Sequence, residues 1–196
     1  LETTVVVPER NKLIVDTYLE YVKDKSTVIF CTSVDHADKI AELLRNNGVK
    51  AESVSGKTEN SKRKQILKDY ENKKIKVLCA CDLLNEGWDS PITEVLFMAR
   101  PTMSKTIYMQ QLGRGMRIHE GKEFLMVFDF VDNANMFNCP YSLHRILNIS
   151  EYVPGGMVLG TKHGMSWDKD MFKHGDKPAV LFRNDFLNCC GYGKCV

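Results

Sequence analysis

Hydrophobic and polar positions along the first 130 residues follow two different periods. Short apolar runs rich in β-branched residues are typical of strands buried on both faces, whereas apolar residues three or four apart are typical of amphipathic helices. The predicted strands cover residues 3–7, 26–32, 49–55, 75–81, 94–99 and 123–130. The predicted helices cover residues 9–23, 36–47, 61–72 and about 104–112.

The alternation of these elements predicts the fold class. Strands that alternate with helices form a parallel sheet with helices on both faces, so we expect an α/β fold. In such folds ligands bind at the carboxyl edge of the sheet. The loops expected to carry function therefore follow Thr32, Ser55, Cys81, Ala99 and Phe130.

The last third of the chain has a different pattern. Residues 136–196 are rich in Gly, Asn, Asp and Pro, and a short segment near residues 143–149 has helical spacing. We therefore predict two parts: a lobe over residues 1–135 and a partly irregular C-terminal extension over residues 136–196.

Bulk charge and hydropathy exclude few functions. The 196 residues include 27 basic and 25 acidic side chains, a net charge of +2. This charge is too small to indicate nucleic-acid binding, which has to rest on local clusters. No apolar run reaches the roughly 18 to 20 residues that span a membrane, and the first residues lack the pattern of a secretory signal. Because the sequence begins at Leu1, we expect it to belong to a longer protein.

The cysteines predict a reducing compartment. Cys31, Cys79 and Cys81 lie in apolar, strand-like runs, where a buried, reduced thiol is the usual state. Free thiols in a core favour an intracellular location, which is the cytoplasm or, in a eukaryote, the nucleus.

Residues 55–58 read Ser-Gly-Lys-Thr, which matches the end of a nucleotide-binding P-loop. A P-loop needs another glycine five residues before Gly56, because its backbone amides curl around the phosphates. That position is Ala51, inside a predicted strand. The favoured interpretation is a turn at Gly56 with Thr58 or Ser61 as the N-cap of the next helix. The alternative is a self-contained P-loop NTPase or kinase in which the lysine binds ATP.

A second stretch, residues 108–122, contains the pattern Q-x-x-G-R-x-x-R. Arg114 and Arg117 are three residues apart and share one face if the segment is helical. Two guanidinium groups next to the amides of Gln110 and Gln111 suit a polyanion such as a chain of phosphates. A solvated basic helix end is the alternative interpretation.

These arginines follow the segment CDLLNEGWDSP, residues 81–91, which begins at the end of a predicted buried strand. The two segments, in this order, resemble motifs V and VI of superfamily 2 helicases. Residues 28–44 resemble motif IV, and residues 54–67 resemble the segment that follows it. The resemblance covers about residues 26–132. It is closest to the branch that contains the restriction-endonuclease motor subunits and the RadD-like DNA repair helicases.

The resemblance implies the second RecA-like lobe of an ATP-dependent helicase or translocase, with ATP and Mg²⁺ as cofactors. The first lobe of such proteins carries the P-loop and the acidic Mg²⁺ box, so the isolated chain is expected to be inactive. Arg117 is implied to be the arginine finger that reaches the γ-phosphate of ATP, supported by Arg114 and Gln110. Gly87 and Asp89 are implied to lie against the phosphates and ribose of ATP.

The resemblance also implies a nucleic-acid track, with DNA favoured over RNA. Thr32, Ser33, Gly56 and Lys57 are the expected contacts to backbone phosphates, and helix capping is the alternative role of the hydroxyl groups. Cys81 stands where the family usually has threonine, which weakens the case for a phosphate contact there because a thiol is a poor donor.

Three cysteines crowd the C-terminus, at Cys189, Cys190 and Cys195. Three thiolates supply most of a tetrahedral zinc site, but no C-x₂-C pair is present, so the spacing does not favour zinc. A fourth ligand would come from His163, His174 or Cys139. A non-catalytic module that binds nucleic acid or zinc is therefore a further alternative function.

Overall fold

The structure, a computed structural model, describes residues 8–82, 88, 90–102, 104–117, 119–122 and 124–130, together with the backbone of residues 157–161, 164–168 and 179–183. The helices are α1 (Pro8–Thr17), α2 (Val34–Asn46), α3 (Asn60–Glu71) and α4 (Lys105–Gly115), and a π-helical turn, Tyr18–Val22, follows α1. The strands are β1 (Thr27–Phe30), β2 (Ala51–Ser55), β3 (Val77–Cys81), β4 (Val95–Met98), β5 (Phe124–Asp129), β6 (Met157–Thr161), β7 (Gly164–Asp168) and β8 (Ala179–Arg183).

All eight strands form one sheet in the order β2-β3-β1-β4-β5-β8-β6-β7. Strands β1 to β5 are parallel to one another; in their register Val28 lies beside Leu78 on one side and Leu96 on the other. Each crossover between them contains a helix or, between β3 and β4, the segment 82–94. The predicted parallel α/β sheet is confirmed.

Alternate side chains of each central strand enter two separate cores. Val28 and Phe30 of β1 pack in the core covered by α3 and α4, and Ile29 packs in the core covered by α1 and α2. The continuous apolar runs of the strands follow from this burial on both faces. Helices on both faces, as predicted, therefore enclose the sheet.

Element boundaries differ from the prediction mainly around the helices. The helix predicted over residues 9–23 is α-helical to Thr17 and π-helical over Tyr18–Val22. Helix α4 continues to Gly115, three residues beyond the predicted end. The N-cap of α3 is Glu59, without a side-chain capping bond, so the prediction of Thr58 or Ser61 as N-cap is wrong.

The C-terminal extension contributes strands to the same sheet. Strand β8 is antiparallel to β5, β6 is parallel to β8, and β7 forms an antiparallel pair with β6. Periodicity did not predict these three strands. The boundary predicted at residue 135, the strand predicted over residues 3–7 and the helix predicted near residues 143–149 lie outside the described residues.

Two further sequence predictions concern the described core. Cys31, Cys79 and Cys81 are buried thiols outside any disulfide, as predicted, and burial raises the pKa of the Cys31 thiol well above its ordinary value. None of the described helices is long and apolar enough to cross a membrane.

Candidate functional site

The topology separates the candidate residues onto the two edges of the sheet. Thr32 and Ser33 follow β1, and Gly56 and Lys57 follow β2, so these four residues lie at the carboxyl edge and form what we call the carboxyl-edge site. Helix α4 leaves the carboxyl end of β4 and leads to the amino end of β5, so its last turn lies toward the opposite edge. The residues at that end, Trp88, Arg114, Arg117 and Lys122, are called the amino-edge site.

The expectation that functional residues lie at the carboxyl edge therefore applies to only one of the two groups. Arg114 and Arg117 do not lie at that edge, because a helix that connects parallel strands runs antiparallel to them. A motif near the end of such a helix therefore lies toward the amino edge of the sheet.

Helix α4 packs tightly against the sheet at its last turn. The Ser104 hydroxyl caps its start by accepting from the N–H of Ile107 at 3.3 Å, and Tyr108 and Leu112 are buried beneath it. At Gly115 a β-carbon would lie 2.7 Å from Leu125 Cδ1 and 2.8 Å from Leu96 Cδ1, which is closer than carbon atoms approach. The glycine thus permits the helix end to approach β4 and β5.

The two glutamines of α4 point to different environments. Gln110 is exposed, whereas Gln111 is buried, and within the described part of the chain no group forms a hydrogen bond with its Oε1. Gln110 is therefore the accessible amide of the pair, as its role in the predicted phosphate network requires.

Arg114 joins the segment 81–91 to α4. Its Nη1 donates to the carbonyl oxygen of Trp88, and the half-buried Trp88 ring packs against Tyr70 with centroids 6.0 Å apart. Tyr70 is in turn bonded through its hydroxyl to Thr93 Oγ1 at 3.1 Å. The two motif-like segments thus meet through a hydrogen bond between residues 26 apart in the sequence, and its charged donor makes it of the stronger kind.

Arg117 lies beyond the helix rather than on it. Helix α4 ends at Gly115 with Met116 as its C-cap, and Arg117 follows in irregular backbone with an exposed side chain. The condition under which Arg114 and Arg117 would share a face, a helical backbone through both residues, is therefore not met. Arg114 is half-buried against Trp88, and Arg117 is the guanidinium that the surface presents.

A buried lysine lies beside this end of the helix. Lys122 is 3% exposed, and its Nζ donates to the carbonyl oxygens of Gly115 and, at 3.0 Å, of Arg117. Burial lowers the pKa of Lys122 to about 8, and the negative charge of Glu94 opposes that shift. The sequence analysis did not single out this lysine.

At the carboxyl edge, polar side chains bind their own backbone. Ser33 is the N-cap of α2, and its hydroxyl accepts from the N–H of His36 at 3.2 Å. The backbone N–H of Thr32 donates to His36 Nδ1 at 3.3 Å, and the Thr32 hydroxyl lies 3.0 Å from the same nitrogen. Because a backbone N–H can only donate, Nδ1 is the acceptor, and the Thr32 hydroxyl donates to it as well.

His36 is held neutral by this arrangement. It is 1% exposed, and burial, with a smaller contribution from Arg10, lowers its pKa. Its Nε2 forms no hydrogen bond with any described group. The hydroxyl of Thr32 therefore needs to rotate away from His36 before it can donate to a phosphate.

The Ser-Gly-Lys-Thr segment is a closed turn. The N–H of Thr58 donates to the carbonyl of Ser55 at 3.1 Å, the N–H of Ser55 donates to Thr58 Oγ1 at 3.0 Å, and the N–H of Lys57 donates to Ser55 Oγ at 3.2 Å. Three backbone donors are thus used within the turn, whereas a P-loop aims them at phosphates. Lys57 itself is exposed.

A cleft of about 340 Å³ separates this turn from the start of α2. Its wall includes two cations, Lys57 and Lys62, and two anions, Asp38 and Glu59. Asp38 is bonded to Ser53 Oγ at 2.5 Å. The cleft therefore brings Lys57 next to α2, while Thr32, Ser33 and Gly56 are not part of its lining.

Other polar groups at the carboxyl edge are paired across strands. Arg100, after β4, forms an ion pair with Asp82, after β3. Cys81 is buried, and its Sγ lies 3.6 Å from Asp82 Oδ2. Among the described residues no three His, Cys, Asp or Glu side chains form a group that could hold a metal ion.

Some predicted site residues lie outside the described residues. Gly87 and Asp89 are in this class, and so are all the zinc candidates, Cys139, His163, His174, Cys189, Cys190 and Cys195. Sequence reasoning missed the roles of Trp88, His36 and Lys122. A local signal existed for Lys122, because the turn signal of Gly121 returns the chain toward α4, but the pattern gave no measure of how deeply the lysine is buried.

Comparison with known proteins identifies the family. The family described as "Helicase conserved C-terminal domain" matches residues 9–119, which is more than half of the chain. The chain is 38% identical over 117 residues to the putative mitochondrial ATP-dependent helicase irc3 of Schizosaccharomyces pombe, covering 59% of this chain and 19% of the relative. It is 30% identical over 131 residues to the putative ATP-dependent helicase IRC3 of Saccharomyces cerevisiae, covering 65% and 19%.

The fold has solved counterparts. The E. coli DEAD-box protein SrmB, in a crystal structure with the regulator of ribonuclease activity A, superposes with a TM-score of 0.50 at 21% identity, covering 57% of this chain and 64% of that one. This likeness supports the RecA-like form of the sheet. The chain spans about a fifth of the length of the two curated relatives. It belongs to the helicase conserved C-terminal domain family.

Proposed function

We propose that this chain is the second motor lobe of an ATP-dependent superfamily 2 helicase or translocase. In that role it supplies the arginine finger to a nucleotide held by the N-terminal RecA-like lobe of the same protein. It also supplies part of the nucleic-acid track. The family match and the names of the curated relatives support the class of activity.

The observation that carries the proposal is the junction of the two motif-like segments. Arg114 donates to the carbonyl of Trp88, and this bond places the end of α4 beside the segment 81–91. Arg117, the next arginine, is exposed immediately beyond the helix. A guanidinium presented at the surface beside a rigid junction is what a site shared between two lobes requires.

Exposed N–H donors on α4 and just beyond its end fit the phosphates of ATP. Arg117 and Gln110 offer N–H donors at the surface, and a guanidinium matches phosphate oxygens in geometry and charge. ATP supplies the phosphoryl group that is transferred to water, and Arg117 neutralises the charge that grows on it. Gly87 and Asp89 complete the proposed ATP contacts, and Mg²⁺ is assigned mainly to the first lobe.

The proposal is tested by ATP hydrolysis of the full-length protein. Arg117→Ala is expected to reduce kcat by about 10³-fold or more, because an arginine finger contributes that order of rate. Binding of a non-hydrolysable ATP analogue should be nearly unchanged. The matched control is Arg45→Ala, since Arg45 lies in the last turn of α2 and bonds the carbonyl of Ala51. Full turnover by Arg117→Ala would remove it from the finger role.

The isolated chain distinguishes the proposal from the P-loop alternative. We expect the 196 residues alone to hydrolyse no ATP and activity to appear when the first lobe is joined. The internal hydrogen bonds of the Ser55–Thr58 turn argue against a P-loop. Robust hydrolysis by the isolated chain would favour the self-contained NTPase or kinase, and stoichiometric zinc in the purified chain would favour the zinc-binding module.

For the track we propose Thr32, Ser33, Gly56 and Lys57, with DNA favoured over RNA. The exposed Lys57 and the amino end of α2 border one cleft, and free amides at a helix start are sequence-independent phosphate donors. An intracellular location, cytoplasmic or nuclear, is proposed with it, supported by the free buried thiols.

A further inference from the structure

The end of α4 is fastened by a side chain that the proposed ATP chemistry does not use. Lys122 is 3% exposed, and its Nζ donates to the carbonyl oxygens of Gly115 and Arg117. A buried amine is costly unless hydrogen bonds replace its water. An apolar residue would fill this buried position at a lower cost, so we look for a role of Lys122 other than packing.

Local structure brings Lys122 to this place. Its backbone N–H donates to the carbonyl of His119 at 3.1 Å, which closes a four-residue turn. Gly121 occupies the left-handed region at φ 79°, which glycine adopts without strain. Lys122 at the end of this turn thus lies close enough to α4 for its Nζ to bond the carbonyls of Gly115 and Arg117.

Lys122 bonds one carbonyl on each side of Met116, where the chain leaves the helix. Gly115 is the last residue of α4 and Arg117 stands two residues beyond it. Carbonyls at a helix end lack intrahelical partners, so a side chain with several N–H donors is favoured there. One amine bonded on both sides of Met116 fixes the backbone path and hence the direction in which the Arg117 side chain leaves.

The helix end is also fixed from its other side. Gly115 packs against the side chains of Leu96 and Leu125, which are both fully buried, and Arg114 is bonded to Trp88. The last turn of α4 is therefore held by contacts with the sheet, with the segment 81–91 and with Lys122. Of these supports, Lys122 bonds the backbone of Arg117 directly.

We propose that Lys122 is a positioning residue for Arg117, holding the exit of α4 in the path that presents the guanidinium to a nucleotide on the other lobe. The inference rests on the proposed arginine-finger function. A displacement of about 1 Å at a catalytic group can reduce the rate on the order of 10²-fold. The carboxyl-edge site is served by other residues, so nucleic-acid affinity should not depend on Lys122.

The first experiment uses the full-length protein with Lys122→Met, which keeps a long unbranched side chain, one atom shorter than lysine, and removes its N–H donors. We expect kcat for ATP hydrolysis to fall about 10- to 100-fold, with little change in KM for ATP, in analogue binding and in DNA affinity. The matched control is Lys74→Met, because the side chain of Lys74 is 71% exposed. Unchanged kcat in a folded Lys122→Met protein would overturn the inference.

The second experiment separates positioning from general damage. Lys122→Met is introduced into Arg117→Ala, and its effect on the residual rate is measured. If Lys122 acts through Arg117, the double variant should hydrolyse ATP no more slowly than Arg117→Ala. A further loss by the same factor as in the wild-type background would contradict the inference.

Failure of the inference and failure of the proposed function give different results. If Arg117→Ala alone leaves turnover unchanged, the arginine-finger role fails. If Arg117→Ala is inactive and Lys122→Met is fully active, the positioning role fails alone. Should Lys122→Met not fold, Lys122→Gln, which keeps an N–H donor on a shorter side chain, takes its place with a smaller expected loss and the same double-variant comparison.

Discussion

The carboxyl-edge site and the amino-edge site use polar side chains in different ways, although Arg100 and Asp82 also pair across strands at the carboxyl edge. At the carboxyl edge, short hydroxyl side chains bond backbone groups no more than four residues away, as Ser33 does with the N–H of His36 and Thr58 with that of Ser55. At the amino edge, long cationic side chains bond carbonyls of other segments, as Arg114 does with Trp88. Local bonds shape the proposed track, and tertiary bonds shape the proposed ATP site.

This difference matches the two proposed tasks. Sequence-independent binding of a phosphate backbone needs exposed donors and tolerates small shifts, because each contact is weak and reversible. An arginine finger needs one guanidinium in one position. The carboxyl-edge residues are accordingly exposed or half-buried, whereas the backbone of Arg117 is held by the buried Lys122.

The largest expected difference in stability between the two edges is in how the free energy of unfolding depends on pH. Lys122 has a pKa of about 8 in the folded chain and 10.5 ordinarily, so between these values the unfolded state binds more protons. The free energy of unfolding should therefore rise with pH across this window, by up to about 3 kcal/mol. Urea unfolding of the chain at pH 7.5 to 10 measures this slope, and Lys122→Met should reduce it.

His36 provides the matched control for that measurement. The pKa of His36 is lowered from 6.5 in the folded chain, so below about pH 6.5 the unfolded state binds more protons than the folded state. The free energy of unfolding therefore falls as the pH decreases through that range. His36→Gln should therefore leave the alkaline slope intact. Equal alkaline slopes in wild type and Lys122→Met would show that Lys122 does not titrate there.

A pair of glycines gives the next largest contrast. Gly115→Ala places a methyl group within 2.8 Å of the fully buried Leu96 and Leu125, and such overpacking costs about 1 to 3 kcal/mol. Gly56→Ala, at the carboxyl edge, meets no atom within 4 Å and should change stability little. Urea unfolding of both variants measures the difference. Equal urea midpoints for the two variants would mean that the end of α4 shifts to accommodate the methyl group. In that case the position of Arg117 is not tightly fixed.

The smallest expected effect lies at the carboxyl edge. In the full-length protein, Lys57→Ala should reduce the slope of log affinity for DNA against log salt by about one, because one phosphate contact is lost. ATP turnover at saturating DNA should be nearly unchanged. Lys74→Ala is the control, since its exposed ammonium pairs with Asp69 at 3.2 Å. An unaltered slope would remove Lys57 from the track, and the same titration with RNA compares the two nucleic acids.

Sequence patterns predicted the five parallel strands and the helices that cover them, because burial on both faces leaves continuous apolar runs such as residues 77–81. They also singled out the segment that contains Arg114 and Arg117 as the proposed phosphate site, because its residue types and spacing suit phosphate. The N-cap of α3 was mispredicted, because Thr58 bonds backward to Ser55 rather than forward into the helix. Strands β6 to β8 were not predicted, because the hydrophobic residues over positions 157–183 follow no clear period.

By itself, the sequence determined the order of elements, the parallel sheet and the chemistry available at each loop, since these follow from local periodicity and residue type. Only the tertiary structure decided that Arg114 bonds the carbonyl of Trp88, that Arg117 lies beyond the end of α4 and that Lys122 is buried against the carbonyls of Gly115 and Arg117. Hydrogen bonds between segments depend on how strands and helices pack in space, and the spacing of residues along the chain carries no record of that packing.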